Sequence, residues 1–177
     1  MQIRTGSLLI ANPAYAPREK KGKVVYITES TDYSTMGITL NAAEAYSLSN
    51  LLKQRGMDWP LTTFVSIGGE YSPNCMIMLH TNEWYSSNTM PVSNNLSISS
   101  DDFMLEKLRD GNTPDWYRLF MGTSGWSPQE LESELRGSKP KWLLLPKPSE
   151  PLIQSKPTSI WYHAIEELST DVFNSYF

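Results

Sequence analysis

Met121-Gly122-Thr123-Ser124-Gly125-Trp126-Ser127-Pro128-Gln129-Glu130-Leu131, followed as far as Gly137, is the stretch on which the reading of this chain turns. Gly122 and Gly125 bracket a short polar segment and predict a turn at a strand end. Ser127-x-x-Glu130 is a capping box, in which the Ser127 hydroxyl accepts from the Glu130 amide while the Glu130 carboxylate reaches back. Pro128 falls at the first helical position, where its missing N–H costs nothing. Trp126 and Leu131 have the spacing of a hydrophobic staple, which fixes the angle at which the chain enters the helix. Gly137 supplies the stop. Strand end, turn and short helix are thus specified without any chemistry. Gly122-x-x-Gly125 lacks the Lys of a P-loop and the third glycine of a dinucleotide fingerprint.

Working outward, Trp116 to Met121 alternates and predicts the strand that feeds this stretch. Trp142 to Leu145 predicts a buried strand closed by Pro146 and Pro148. A last helix over about Ser159 to Leu168 places Trp161, Ile165 and Leu168 on one side, with His163 and Glu167 facing water. On the N-terminal side, Ser7 to Ala11 and Val24 to Thr28 predict buried strands, and Met36 to Leu40 a hairpin partner. Asn41, with Glu44 three residues on, reads as the N-cap of a helix whose stripe is Ala45, Leu48, Leu51 and Leu52 and which ends at Gly56. Thr62 to Ile67 is a strand broken by Gly68-Gly69. In Cys75 to His80, alternation puts Cys75, Ile77 and Leu79 on one face and Met76, Met78 and His80 on the other. Thr81 to Asn95, rich in Asn, Ser and Thr, predicts a long mobile loop. Leu96 to Ile98 is a short strand, and Ser99 caps a helix containing Met104, Leu105 and Leu108 that stops near Gly111.

The bulk properties bound the class. With 177 residues, 40% hydrophobic and 19% charged, one folded domain covering 1–177 is expected rather than a disordered chain. A net charge of −4 argues against a general nucleic-acid binder, which needs a surplus of Lys and Arg. Cys75 is the lone cysteine, so an internal disulfide is excluded and a reducing, cytoplasmic setting fits. Met1 to Ala11 holds a short apolar run preceded only by Arg4, which predicts a first strand rather than a signal segment. No stretch approaches the roughly 20 apolar residues of a membrane span.

Taken in order, Gly6-Ser7-Leu8-Leu9-Ile10-Ala11-Asn12-Pro13, then Met36-Gly37-Ile38-Thr39-Leu40-Asn41, then Gly68-Gly69 with Leu79-His80, then Gly122 to Trp126 with Gln129-Glu130-Leu131-Glu132, resemble the AlgH/YqgE family across nearly the whole chain. The resemblance implies an α+β domain with a bifurcated, barrel-like, mostly antiparallel sheet and peripheral helices. It also implies the label of transcriptional regulator, in a family whose biochemical activity is unsettled. Three positions depart from the family pattern: Glu70 stands in place of proline, Ala42-Ala43 in place of a basic residue and proline, and Ser30 in place of histidine.

Chemistry is sparse. Cys75 and His80 point to opposite faces of one strand, so a thiolate–imidazole pair is not formed there and Cys75 reads as core. His80, close in sequence to Glu83 and Trp84, reads as a hydrogen-bonding histidine. Neither His80 nor His163 has a second ligand at metal-binding spacing, so no metal is expected, and no cofactor is implied. Gly68-Gly69 could cradle a phosphate if it opened a helix, but Glu70 places negative charge there, and a turn or bulge is the better reading. Lys139, Lys141, Trp142 and Lys147 interleave cations with one ring, yet the intervening prolines fit a solvated rim. Glu130, Glu132 and Glu134 read as an exposed helical face.

The expectation is a non-enzymatic binding or regulatory domain that works by protein contact. Its binding residues are His80, Glu83, Trp84 and Tyr85, in and beside the irregular Glu83–Asn95 loop, together with Gly68, Gly69 and Asn41 of the family motifs. Gly125, Trp126, Ser127, Glu130 and Leu131 serve architecture. The partner is a protein of unspecified identity. Direct nucleic-acid binding through Lys139 to Lys147 is the alternative, and a small-molecule hydrolase using His80 is a third reading.

Overall fold

Leu8–Ala11 forms β1, an apolar strand whose four side chains are all buried. This is why it lies between two neighbours, antiparallel to β2 (Val24–Ser30) on one side and to β10 (Trp142–Leu145) on the other. The computed structural model describes residues 3–176, which group into two units: the chain up to Ala42 with the chain from Ser124 on, and Ala43–Thr123. The class is α+β, and among the described residues every strand pair is antiparallel except one.

In the first unit, β2 turns back into β3 (Thr35–Thr39) through a hairpin in which the Thr31 hydroxyl accepts from the amides of Tyr33 and Ser34. β3 pairs in turn with Ser124–Trp126. The Asn41 side chain accepts from the Val24 amide and donates to the Gly22 carbonyl, bracing this end of β2. Among the described residues, three α-helices belong here: α3 (Pro128–Leu135), α4 (Glu150–Ile153) and α5 (Ile160–Tyr176). α5 is anchored by buried Ile160 and Ala164, and the Trp161 indole donates to the Ala11 carbonyl. The core gathers Leu9, Ala11, Val25, Ile27, Leu131 and Trp142. The Leu, Val and Ile side chains among them each contribute roughly 1.5–3 kcal/mol by leaving water.

In the second unit, β6 (Tyr71–Thr81) runs between β8 (Leu96–Ser99) and β9 (Tyr117–Trp126). On its other side β9 takes β5 (Phe64–Ile67) in the one parallel pairing, and β5 pairs with β4 (Glu44–Ser47). From Met76 to His80 both faces of β6 are buried, as befits a central strand. α1 (Leu48–Lys53) and α2 (Asp102–Arg109) cover a core that includes Leu48, Leu52, Met76, Met78, Met104, Leu105 and Leu108.

Several expectations are corrected. Asn41 does not cap a helix: its side chain is committed to Val24 and Gly22, residues 44–47 pair as β4, and α1 starts at Leu48 after Ser47. The leucine stripe was real, since Leu48 and Leu52 are buried, but it belongs to a shorter helix. The Gly122–Gly125 turn is absent, because β9 continues unbroken to Trp126. Gly122 has φ +77°, and a Cβ there would collide with the Gly69 carbonyl oxygen, so this glycine serves close backbone approach. Asp101, not Ser99, caps α2, its carboxylate accepting from the Met104 amide at 2.8 Å. α5 runs eight residues beyond Leu168, and Glu167 is held by the amide and hydroxyl of Ser149 rather than facing water freely. Cys75 is half-exposed, not core. Among the described residues, no helix is long and apolar enough to cross a membrane.

Candidate functional site

His80 lies one residue before the end of β6, fully buried, opposite Ser97 on β8 and Tyr117 on β9. Its Nδ1 is 2.9 Å from the Thr81 carbonyl oxygen, which can only accept, so Nδ1 carries the proton. Nε2 is then the acceptor for the Ser99 hydroxyl at 2.7 Å. Ser99 in turn lies 2.6 Å from the Thr89 hydroxyl, and the Thr89 oxygen accepts from the Ser86 amide at 2.7 Å. The result is a directed chain, from the Ser86 amide through Thr89 and Ser99 to the imidazole. Burial lowers the His80 pKa below its ordinary value, opposed by the Thr81 carbonyl and the Glu83 charge, and the neutral ring is the form this chain requires.

The segment expected as a mobile loop is tied at most of its length. Met90–Pro91 pairs with β8 as β7. Asp101 accepts from the Ser86 hydroxyl and the Asn88 amide as well as capping α2. Burial alone would raise the Asp101 carboxyl, but these hydrogen bonds to its charged form bring it below the usual range. Glu83 behaves alike: burial raises it, the Asp115 amide and the Thr81 hydroxyl lower it, and the net shift is downward. Asn82 accepts from the Ser97 hydroxyl and donates to the Asn94 carbonyl. The many Asn, Ser and Thr residues that suggested mobility supply the bonds that remove it.

Of the two loop aromatics, Trp84 is core and Tyr85 is display. Trp84 is 5% exposed, packs edge-on to the His80 ring at 5.0 Å, and donates its indole N–H to Asn112. Trp84, expected with Tyr85 among the residues that meet a partner, turns inward instead, because its position after a buried strand end carries it there. Tyr85 is 70% exposed. Lys107, on α2, donates to the Tyr85 carbonyl at 2.6 Å, and its ammonium lies over the rings of Trp84, Tyr85 and Phe103. Phe103 precedes Lys107 by one helical turn, a spacing visible in the sequence; the arrival of Trp84 and Tyr85 on the same ammonium is long-range and was not.

The remaining predicted residues do not join this group. Gly68 and Gly69 stand beside Met121 and Gly122, where β6 begins, and His80 stands where it ends. A strand follows the two glycines, so the helix N-terminus that a phosphate cradle needs is not formed there. Asn41 belongs to the other unit. There, Ser127 and Glu130 form the expected capping box, and Trp126 packs against the same cluster as Leu131. Glu134, expected on a solvated face, accepts from the indoles of both Trp126 and Trp142 and from Lys20 at 3.1 Å. Trp142 is 2% exposed, so Lys139, Lys141 and Lys147 lack the open ring a nucleic-acid groove would use.

A family model described as AlgH-like matches residues 8–173. A UPF0301 protein of Shewanella denitrificans is 28% identical over 170 residues, covering 94% of this chain and 91% of its own. One of Shewanella frigidimarina is 26% identical, at 93% and 91% coverage. The solution structure of the AlgH protein from Pseudomonas aeruginosa matches with a TM-score of 0.77 at 23% identity, over 91% of this chain and 86% of that one. A crystal structure of a Corynebacterium diphtheriae protein matches at 0.72 and 21% identity, over 94% and 88%. At these identities the likeness of structure carries the fold.

Proposed function

The chain belongs to the AlgH-like family, and from that premise we propose that it is a non-enzymatic regulatory domain acting through contact with a protein partner. The observation that carries this reading is the division of labour in the 80–107 region. His80, the side chain best suited to chemistry, is sealed with both ring nitrogens engaged, while Tyr85 stands exposed between buried Trp84 and the Ser86–Asn88 segment held by Asp101. A rigid loop with a projecting aromatic is the usual form of a recognition anchor, because little conformational freedom is lost on binding. Sealed imidazole and buried Ser99 speak against a hydrolase, since a nucleophile–base pair needs an open face toward substrate.

The test is site-specific photocrosslinking in the native cell. A photoreactive phenylalanine derivative in place of Tyr85, which keeps an aromatic ring at that position, is expected to capture a discrete protein. The same residue in place of Tyr33, 88% exposed on the β2–β3 hairpin, is expected not to. Identical bands from both positions, or none from Tyr85, would remove the reading.

A further inference from the structure

The Lys107 ammonium lies 4.3 Å from the ring centroid of Tyr85, 5.0 Å from that of Trp84 and 5.1 Å from that of Phe103. All three are within the roughly 6 Å at which a ring face attracts a cation. The walls are held independently of the lysine. Trp84 is fixed by Asn112 and by the His80 ring, the backbone after Tyr85 by Asp101, and Phe103 by the helix that carries it. The fourth wall is polar: the Tyr85 carbonyl, 2.6 Å from the ammonium. Two of the rings remain substantially exposed, Tyr85 at 70% and Phe103 at 46%, so the enclosure opens to solvent on the face read above as the contact surface.

We propose that Trp84, Tyr85, Phe103 and the Tyr85 carbonyl form a receptor for a partner's lysine ammonium, unmodified or carrying up to two methyl groups, and that Lys107 fills it until the partner's cation takes its place. The proposal rests on the reading of this face as the recognition surface and names what it recognises. Three ring faces select for positive charge and tolerate methylation, which leaves the charge in place. The carbonyl selects for a remaining N–H, because a quaternary ammonium would cover that acceptor without bonding it. Lys107 acts as a competitor tethered at high effective concentration, which keeps the rings from unspecific amines.

Lys107→Ala exposes the receptor, and Lys107→Leu, whose side chain ends two atoms short of the ammonium, leaves the rings free while keeping an apolar stem should the alanine variant fold poorly. The probe is n-butylammonium, with its dimethyl and trimethyl derivatives and uncharged butanol alongside, followed at the Trp84 indole N–H by NMR. Expected is a saturable shift in the Lys107 variant at a concentration at least about tenfold below that needed by the wild-type chain. The dimethyl form should match n-butylammonium, the trimethyl form should be weaker, and butanol should be inert. Adding Tyr85→Ala should abolish the shift. No saturable shift in either Lys107 variant, or an equal response to butanol, overturns the receptor.

The source of the amine is tested by modifying the extract's lysines before capture by the Tyr85 photocrosslinker. Acetylation, which removes the charge, should abolish capture, and reductive dimethylation, which leaves one N–H, should preserve it. Capture insensitive to acetylation overturns the assignment to a partner lysine. If the amine titration fails while the Tyr85 crosslink persists, the receptor falls and the contact surface stands. Loss of the crosslink with a normal titration has the opposite meaning.

Discussion

Two places in this molecule set tryptophan against a charge, and they do so in opposite senses. In the first unit, Glu134 is 14% exposed and receives the indole N–H groups of Trp126 and Trp142 on one oxygen and Lys20 on the other, with the two indoles packed edge to face. In the second unit, Lys107 meets ring faces rather than ring edges, and two of its three rings, Tyr85 and Phe103, are open to solvent. The indole edge is electropositive and the face electronegative. Edges gathered on a carboxylate therefore make a largely enclosed node, with Lys20, 27% exposed and 5.7 Å from the Trp142 ring centroid, at its rim. Faces gathered on an ammonium make one whose cation can be exchanged. The first arrangement serves the frame and the second is available for recognition.

The sharpest way to break that contrast is to remove a wall common to frame and display. Trp84→Ala deletes a buried ring between His80 and Lys107 and is expected to lower stability by about 3–5 kcal/mol in urea denaturation. A loss under about 1 kcal/mol would place Trp84 outside the core. Next is Glu134→Ala, which leaves two indole donors and Lys20 without their acceptor and is expected to cost about 2–3 kcal/mol. A near-neutral result would mean that water replaces the carboxylate, and the node would no longer count as frame.

A smaller effect comes from pH. His80 is held below its ordinary value of 6.5, so as pH falls the unfolded chain takes up its proton first. Stability attributable to His80 is full above about pH 6.5 and declines below it. The Glu83 contribution, held below 4.5, is lost only at lower pH. Between those two values, a stability profile of the wild-type chain should slope downward toward acid, and His80→Gln should flatten it. An unchanged slope would show that the imidazole titrates freely.

How much of this could be read in the sequence follows from how local each feature is. The α3 entry was legible because Trp126, Ser127, Pro128, Glu130 and Leu131 act within one turn of one another. β1, β2 and β10 were legible because runs such as Leu8–Ala11 and Trp142–Leu145 have no other way to bury themselves. The grouping of His80, Glu83 and Trp84 was legible for the same reason of proximity. Asn41 misled because an Asn followed by a leucine stripe fits a helix start, and the competing bonds to Val24 and Gly22 come from 17 and 19 residues away. Gly122 and Gly125 misled because a glycine pair signals a turn, whereas Gly122 serves close packing against the Gly69 backbone and Gly125, part of β9, pairs with β3. The Thr89–Ser99–His80 chain and the role of Glu134 were invisible, since their partners are brought together by strand register and not by spacing.

The central claim is that Tyr85 is displayed while Trp84 beside it is structural, and one paired measurement on Tyr85→Ala decides it. Thermal midpoint and affinity for the protein captured at this position are measured on the same sample. The midpoint is expected to hold, with folding stability within about 0.5 kcal/mol of the wild-type chain. Affinity is expected to fall at least about tenfold, the loss typical of an anchor residue. Undiminished affinity, or a drop in midpoint comparable to that of Trp84→Ala, would contradict the claim.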